Sequence, residues 1–199
     1  MKKYLECLCL RFTMKNEIQQ QHQFTSDEKL AWWGYGEWVE EPDWVSFYHN
    51  DIACIVRRVA IEEPFTKDLH VFGGHLCGYV QIPADHPYHH KCYENMDINV
   101  HFGLTFGEVS VGHWIGFDCG HTGDIVPSMK LLKDTSYSHI AELFPIPDEL
   151  KDSWLFNPNY KNIDYCIDQC KSMADQLVQI ARANDPNLIN KMIGTDEIK

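Results

Sequence analysis

The chain has 199 residues, 44% of them hydrophobic and 13% aromatic, which is enough apolar surface for one folded domain. Its formal net charge of −12 argues against a nucleic-acid polymer as partner, because such binding requires a basic face. The chain also lacks the run of about 18 apolar residues that a membrane-spanning helix needs. We therefore expect a cytoplasmic protein without a membrane partner.

The first 30 residues differ in composition from the rest of the chain. They are polar and rich in glutamine around residues 19–23. We interpret residues 1–30 as an N-terminal extension, residues 31–184 as a single domain and residues 185–199 as a polar C-terminal tail. The single domain then contains the predicted strands and the long helix.

Four segments are predicted to be β-strands because they are rich in β-branched and aromatic residues. They are residues 52–61, 76–82, 97–106 and 113–118. Alternation in the third segment places His101 and Gly103 on one face and Val100 and Phe102 on the other. The third and fourth segments are joined by a short connection, which predicts an antiparallel hairpin. Residues 83–90 are too rich in proline for regular structure.

Apolar residues at three- and four-residue steps predict an amphipathic helix over residues 164–182, with Asn162 as its N-cap. The chain between residue 127 and this helix is expected to be irregular because it is rich in proline. Strands with short connections followed by one long helix predict an α+β fold with a mainly antiparallel sheet. We expect the helix to pack on the sheet face opposite the functional site.

The segment 114–124, WIGFDCGHTGD, joins an apolar strand to a glycine-rich turn. Asp118, His121 and Asp124 are three residues apart, so a compact turn can direct them toward one point. Carboxylates with imidazole can hold a divalent metal or carry metal-free acid–base chemistry. We expect Asp118, His121 and Asp124 as the metal set if a metal is bound. The alternative is a turn in which the aspartates only hydrogen-bond the backbone.

Eight of the eleven histidines lie between residues 70 and 121. His101 is expected to act with Asp118 and His121, within direct or water-bridged contact of them. The alternative for His101 is a half-buried histidine on a sheet face. Four others are interpreted as hydrogen-bonded loop residues: His86, His89, His90 and His113.

Arg57 and Arg58 are adjacent on a predicted strand, so one points inward and needs an anionic partner. That partner is either a ligand phosphate or a protein carboxylate. Together with Thr105, Tyr79 and Trp114, Arg57 forms the expected ligand-binding set, although tryptophans at this density are also typical of a core. The eight cysteines contain no C-x-x-C pair and are expected to be reduced and mostly buried.

Several motifs follow one another in a specific order: GYGEW with EPD, GHLCGYV, PxxHP, VHxGLTF, WxGFDCxHxGD and a late YxxxxYC. Over about residues 30–183 this order resembles a family of uncharacterised proteins encoded largely by bacteriophages and prophages. The chain departs from the pattern at Phe102, where glycine is usual, and at Gly120 and Thr122, where alanine is usual. The resemblance implies an accessory protein in the cytoplasm of a bacterial host, of the kind that counters host defence.

Two functions of different class fit these observations. The first is a small hydrolase or phosphodiesterase that acts on a nucleotide-type ligand such as an immune signal. In it, His101 or His121 is the general acid or base, and Asp118 orients the imidazole or binds a metal. The second is a non-enzymatic module that sequesters a small nucleotide ligand or inhibits a host protein, as the aromatics, the paired arginines and the lack of a known catalytic motif suggest. We expect the enzyme.

Overall fold

The computed structural model describes residues 18–62, 71–110, 112–134 and 159–184. The strands in these ranges are β1 (Gln19–Gln21), β2 (Trp44–His49), β3 (Ile52–Glu62), β4 (Val71–Gln81), β5 (Phe106–Glu108) and β6 (Trp114–Asp118). The helices are α1 (Ser26–Trp33), α2 (Pro127–Asp134) and α3 (Ile163–Asn184). The strands form one sheet in the order β1-β2-β3-β4-β6-β5, and all neighbours are antiparallel. The predicted α+β fold is confirmed. No helix in these ranges is long and apolar enough to cross a membrane.

Three of the four predicted strands are confirmed, and they correspond to β3, β4 and β6. The prediction of a strand over residues 97–106 is wrong except at its end, where β5 begins and forms the expected hairpin with β6. The reason lies on α3: the N–H groups of Asn99 and His101 donate to the side chains of Gln176 and Gln169, at 2.8 and 3.0 Å. Because helix side chains satisfy these donors, the segment needs no partner strand.

Residues 18–30 were expected to belong to the N-terminal extension, but they are part of the folded domain. β1 pairs with β2, and Thr25 caps α1 in a reciprocal arrangement with Glu28. The chain after residue 127 is not entirely irregular, because α2 starts with Pro127, whose fixed φ and missing N–H suit the first turn of a helix. Residues 1–17, most of the predicted irregular segment and the predicted tail lie outside the described residues.

The long helix α3 covers one face of the sheet. Its N-terminus is capped as predicted, since the N–H of Tyr165 donates to Asn162 Oδ1 at 3.0 Å. The predicted apolar stripe is confirmed, because all its positions are buried: Ile163, Cys166, Ile167, Cys170, Met173, Ala174, Leu177, Val178 and Ala181. A Cβ on Gly78 would come within 2.7 Å of Cys170 Sγ, so a glycine in β4 lets the helix approach closely.

The second face of the sheet carries an aromatic cluster. Trp44, Ile55 and Trp114 are each at most 3% exposed, and Tyr79 and Phe106 pack against them. Buried tryptophans here and around α1 confirm that most of the tryptophan content forms core. The cysteines in the described ranges form no disulfide bond. Cys92 is exposed, and the others are buried: Cys54, Cys77, Cys119, Cys166 and Cys170.

Arg58 is the inward arginine, and its partners are protein carboxylates. Its guanidinium donates to Asp43 at 2.8 Å and Glu41 at 2.9 Å, and it also contacts the hydroxyl of Tyr160 at 2.7 Å. Lys29, fully buried, forms an ion pair with Asp43 at 2.9 Å. We call these five residues the Arg58 network. Burial opposes the charge of Arg58, but Tyr160 and Glu41 raise its pKa above the ordinary value, so it stays protonated.

Candidate functional site

The turn that follows β6 carries three of the predicted site residues. The carboxylate of Asp118 accepts the N–H of Gly120 at 2.9 Å, and Asp124 Oδ2 accepts the N–H of His121 at 3.1 Å. Gly123 has a φ of +102°, which residues with a side chain rarely adopt. The aspartates therefore do cap the turn, and this capping brings both carboxylates next to the imidazole of His121.

His101 reaches the same point from the irregular loop before β5. Its Nε2 lies 2.9 Å from Asp124 Oδ2, and its Nδ1 lies 3.0 Å from the hydroxyl of Tyr165 on α3. The side chains of His101 and Asp124 are only 7% and 2% exposed. The ring centroids of His101 and His121 are 5.7 Å apart. The predicted proximity of His101 to the turn is confirmed.

His121 lies between two carboxylates without forming a hydrogen bond to either. Its Nδ1 is 3.6 Å from Asp118 Oδ1 and 3.8 Å from Asp124 Oδ2. This nitrogen is buried and has no hydrogen-bond partner among the described residues. The ring of Phe102 stacks on the imidazole, with 4.7 Å between centroids and 11° between planes. Because buried polar atoms are normally paired, this nitrogen has the capacity for one further partner.

His101, His121 and Asp124 each offer one ligand atom, and the three atoms lie within 4.8 Å of one another. We call these residues the His–His–Asp group. Two imidazole nitrogens and one carboxylate oxygen suit Zn²⁺ and related ions, and they also suit acid–base chemistry. Asp118, expected in the metal set, adjoins the group through His121 but is not one of the three. In the described ranges no other three such side chains converge this closely.

Asp118 is held in its ionised form at the edge of the group. Burial raises its pKa, but the N–H of Gly120, the hydroxyl of Thr105 and the nearby imidazoles of His121 and His75 hold the pKa below its ordinary value. Thr105, expected to contact a ligand, instead helps to lower the pKa of this carboxyl group. A charged carboxylate at this position can orient the imidazole of His121.

His75 on β4 is a site residue that the sequence analysis missed. A Cβ on Gly120 would come within 3.2 Å of its Nε2, so the turn lies close against this imidazole. Burial lowers the pKa of His75, although Asp118 and Asp124 act in the opposite direction. Its Nδ1 has no hydrogen-bond partner in the described part of the chain. No spacing in the sequence signals this residue, because only the pairing of β4 with β6 brings it here.

α3 contributes directly to the site, contrary to the expectation that it packs on the opposite face. Tyr165 contacts the His101 side chain, and Gln169 accepts the N–H of His101 at 3.0 Å. The two residues are four apart and so share one helix face. That spacing beside the buried stripe is the signal that could have identified them. Burial raises the pKa of Tyr165, so its hydroxyl keeps its proton at neutral pH.

The remaining predicted ligand residues lie on the second face of the sheet, outside the His–His–Asp group. Trp114 is 3% exposed and packs in the aromatic cluster with Trp44. Tyr79 is half-buried and meets Phe106 edge-on at 5.1 Å between ring centroids. Arg57 is half-buried on β3. The structure therefore divides the predicted residues between a polar group at the turn and an aromatic face behind it.

Two of the four loop histidines make the hydrogen bonds expected of structural residues. His86 Nε2 lies 2.9 Å from the carbonyl oxygen of Leu177 on α3. His113 Nδ1 accepts the N–H of His90 at 2.8 Å. These contacts tie the 83–90 loop to the helix and to the start of β6.

Comparisons with known proteins give no match to this chain. No family model, no curated protein and no solved structure matches it. The function has to be inferred from the chemistry of the site itself.

Proposed function

We propose that the protein is a small hydrolase that acts on a phosphoester of nucleotide type, with the His–His–Asp group as its reaction centre. One observation carries this proposal: His121 Nδ1 is buried between the carboxylates of Asp118 and Asp124 and is hydrogen-bonded to neither. Most buried polar atoms are paired, and this unpaired atom lies among side chains that can hold a metal ion or transfer a proton. Histidines beside carboxylates are the side chains with which hydrolases activate water.

The surroundings of the group suit a reaction at the protein surface. Asp118 is ionised and 31% exposed beside His121, so it can orient the imidazole that takes the proton of an attacking water. Phe102 stacks on His121 and is 55% exposed, which leaves ring surface on which a planar base can stack. The resemblance to phage-encoded proteins also favours a nucleotide immune signal in the host cytoplasm as substrate.

A non-enzymatic binding module is the second candidate, and one contact favours it. Both ring nitrogens of His101 already have partners, Asp124 at 2.9 Å and Tyr165 at 3.0 Å. An imidazole whose two nitrogens are both paired is poorly placed to transfer a proton, which favours a group that holds a ligand without reacting.

The two candidates are separated by the fate of the ligand. The protein is incubated with a panel of cyclic and linear nucleotides, with and without chelator, and the products are followed by chromatography. The hydrolase is expected to convert at least one nucleotide, and His121→Ala to reduce turnover by about 10²-fold or more. Recovery of an intact, tightly bound nucleotide after heat denaturation would support the binding module instead.

His22→Ala is the matched control for this experiment. His22 is an exposed histidine that follows β1, at the sheet edge opposite β5 and β6. Its replacement removes an imidazole without touching the group, so turnover should remain at the wild-type level. Equal losses in both variants would contradict the assignment of the reaction centre.

A further inference from the structure

The three ligand atoms of the His–His–Asp group are spaced like donors to one ion. His101 Nε2 and Asp124 Oδ2 are 2.9 Å apart, and His121 Nδ1 is 3.8 Å from the same oxygen. Ligands about 2.0–2.1 Å from a tetrahedral ion lie roughly 3.3–3.4 Å from each other. These two separations bracket this value and the third lies within 4.8 Å, so side-chain movements of about an ångström bring all three atoms onto one ion.

The distances around His121 Nδ1 fit coordination better than hydrogen bonding. At 3.6 and 3.8 Å the carboxylate oxygens of Asp118 and Asp124 are too far for a hydrogen bond. The stacked ring of Phe102 holds the imidazole in this orientation, so the nitrogen stays directed at the group. A metal ion would give this buried atom the partner it lacks among the described residues.

The second nitrogen of His101 has the partner that metal-bound histidines usually have. The hydroxyl of Tyr165 lies 3.0 Å from Nδ1, so an N–H there can donate to it while Nε2 faces the ion. Asp124 is held in a comparable way, because its Oδ2 also accepts the N–H of His121. Two of the three donors are thus oriented by a further hydrogen bond.

We propose that His101, His121 and Asp124 bind one divalent first-row transition ion of the zinc type. Three protein ligands leave a further position for water, which is the arrangement of catalytic rather than closed structural sites. Imidazole-rich sets with one carboxylate favour such ions over Mg²⁺ and Ca²⁺, which prefer oxygen ligands. The inference deepens the proposed function by naming what activates water, but a binding module could hold the same ion.

Metal binding is measured directly, without a substrate. Full-length protein is stripped with a chelator, and Zn²⁺ is titrated against a competing chromophoric chelator, with Co²⁺ as a spectroscopic probe. We expect one ion per chain, visible absorption typical of four- or five-coordinate Co²⁺, and little binding of Mg²⁺ or Ca²⁺. His121→Ala and Asp124→Asn should each weaken Zn²⁺ binding by about 100-fold or more.

Two further variants make the test specific. Tyr165→Phe keeps the ring but removes the hydroxyl, so it should weaken Zn²⁺ binding by about 10- to 100-fold. It should lower the melting temperature of the stripped protein by only a few degrees, roughly the effect of one lost hydrogen bond. His22→Ala should bind Zn²⁺ as the wild type does. His121→Ala is the decisive variant, because its imidazole lacks a hydrogen bond at Nδ1 and its loss should not prevent folding.

The inference is overturned if no ion binds stoichiometrically, or if His121→Ala binds Zn²⁺ as tightly as the wild type. The second result would place the ion elsewhere, for example among the histidines around His113. Turnover that persists in stripped protein would overturn the assignment of the ion as the group that activates water, while leaving the hydrolase. Stoichiometric Zn²⁺ binding without turnover of any nucleotide would support the metal site and count against the hydrolase.

Discussion

The Arg58 network and the His–His–Asp group are both clusters of buried, ionisable side chains, but they differ in how completely their atoms are paired. In the network, Asp43 Oδ1 binds Lys29 and Arg58, and its Oδ2 accepts the N–H groups of Gln23 and Phe24. Glu41 likewise uses both oxygens. At the turn, by contrast, His121 Nδ1 and His75 Nδ1 have no hydrogen-bond partner in the described ranges.

This difference separates a structural role from a functional one. A fully paired cluster has no donor or acceptor left for a ligand, so its charges serve to join β1, β2, β3, α1 and the start of α3. In a partly paired cluster, each unpaired buried atom lowers the stability of the fold, and a ligand that pairs it recovers this free energy. Burial of charge alone does not identify a site in this protein, and an unpaired atom alone does not either, since the buried indole nitrogens of Trp33 and Trp44 also lack a hydrogen-bond partner among the described residues. The turn differs because its unpaired imidazole nitrogens lie beside two carboxylates.

Arg58→Met should have the largest effect on stability. The substitution leaves Asp43 and Glu41 buried without their main cation, so we expect a loss of about 3–5 kcal/mol in the free energy of unfolding, measured by urea denaturation. The control is Lys171→Met, which removes an exposed pair with Asp168 and should cost less than about 0.5 kcal/mol. Similar losses in both variants would mean that the network is no more than a surface ion pair.

Asp118→Asn should reduce turnover strongly without reducing stability. The amide oxygen can still accept the N–H of Gly120, so the turn is retained, while the charge next to His121 is lost. We expect turnover to fall by about 10²-fold or more at an unchanged melting temperature. Asp168→Asn, at an exposed carboxylate on α3, is the control. Full activity in Asp118→Asn would show that the residue only caps the turn.

Gly103→Ala should have an intermediate effect, through the backbone of the loop that carries His101. Gly103 has a φ of +90°, and a Cβ there would meet nothing within 4 Å. The expected cost of about 1–2 kcal/mol therefore comes from backbone conformation alone. An unchanged urea midpoint for Gly103→Ala would show that the loop changes its backbone conformation without a loss of stability.

Mild acidification should have the smallest effect on the free energy of unfolding, and we expect this effect to come in part from His113. Burial, with His89 and His90 nearby, lowers the pKa of His113 below its ordinary value of 6.5. The unfolded chain then takes up a proton before the folded chain does, so the stabilisation is present above pH 6.5 and is lost as the pH falls toward the folded-state pKa. The Arg58 guanidinium keeps its charge throughout this range.

The measurement compares wild type with His113→Asn between pH 7.5 and 5.5 by urea denaturation. The Asn side chain can still accept the N–H of His90 but does not titrate. We expect the wild type to lose more stability on acidification than the variant. Parallel pH profiles would contradict the sign or the presence of this shift.

Local patterns in the sequence determined most of the regular structure. The 3.6-residue period marked the buried face of α3, and runs of β-branched residues marked β3, β4 and β6, because both signals reflect which face is buried. The chemistry of the WIGFDCGHTGD turn was also readable, since its residues are close in the chain. The adjacent arginines predicted one inward cation, but the choice of Arg58 and its carboxylate partners depended on the register of the strands.

Tertiary structure decided what lies around the turn. Residues 97–105 alternate like a strand, yet their N–H groups are taken by glutamines of α3, more than sixty residues later. His75 and Tyr165 join the site only because β4 pairs with β6 and α3 crosses beside them. Hydrogen bonds between segments so distant in sequence leave no periodic signal, because each segment satisfies its own local pattern first. The candidate ligand set His101, His121 and Asp124 is therefore a product of the fold.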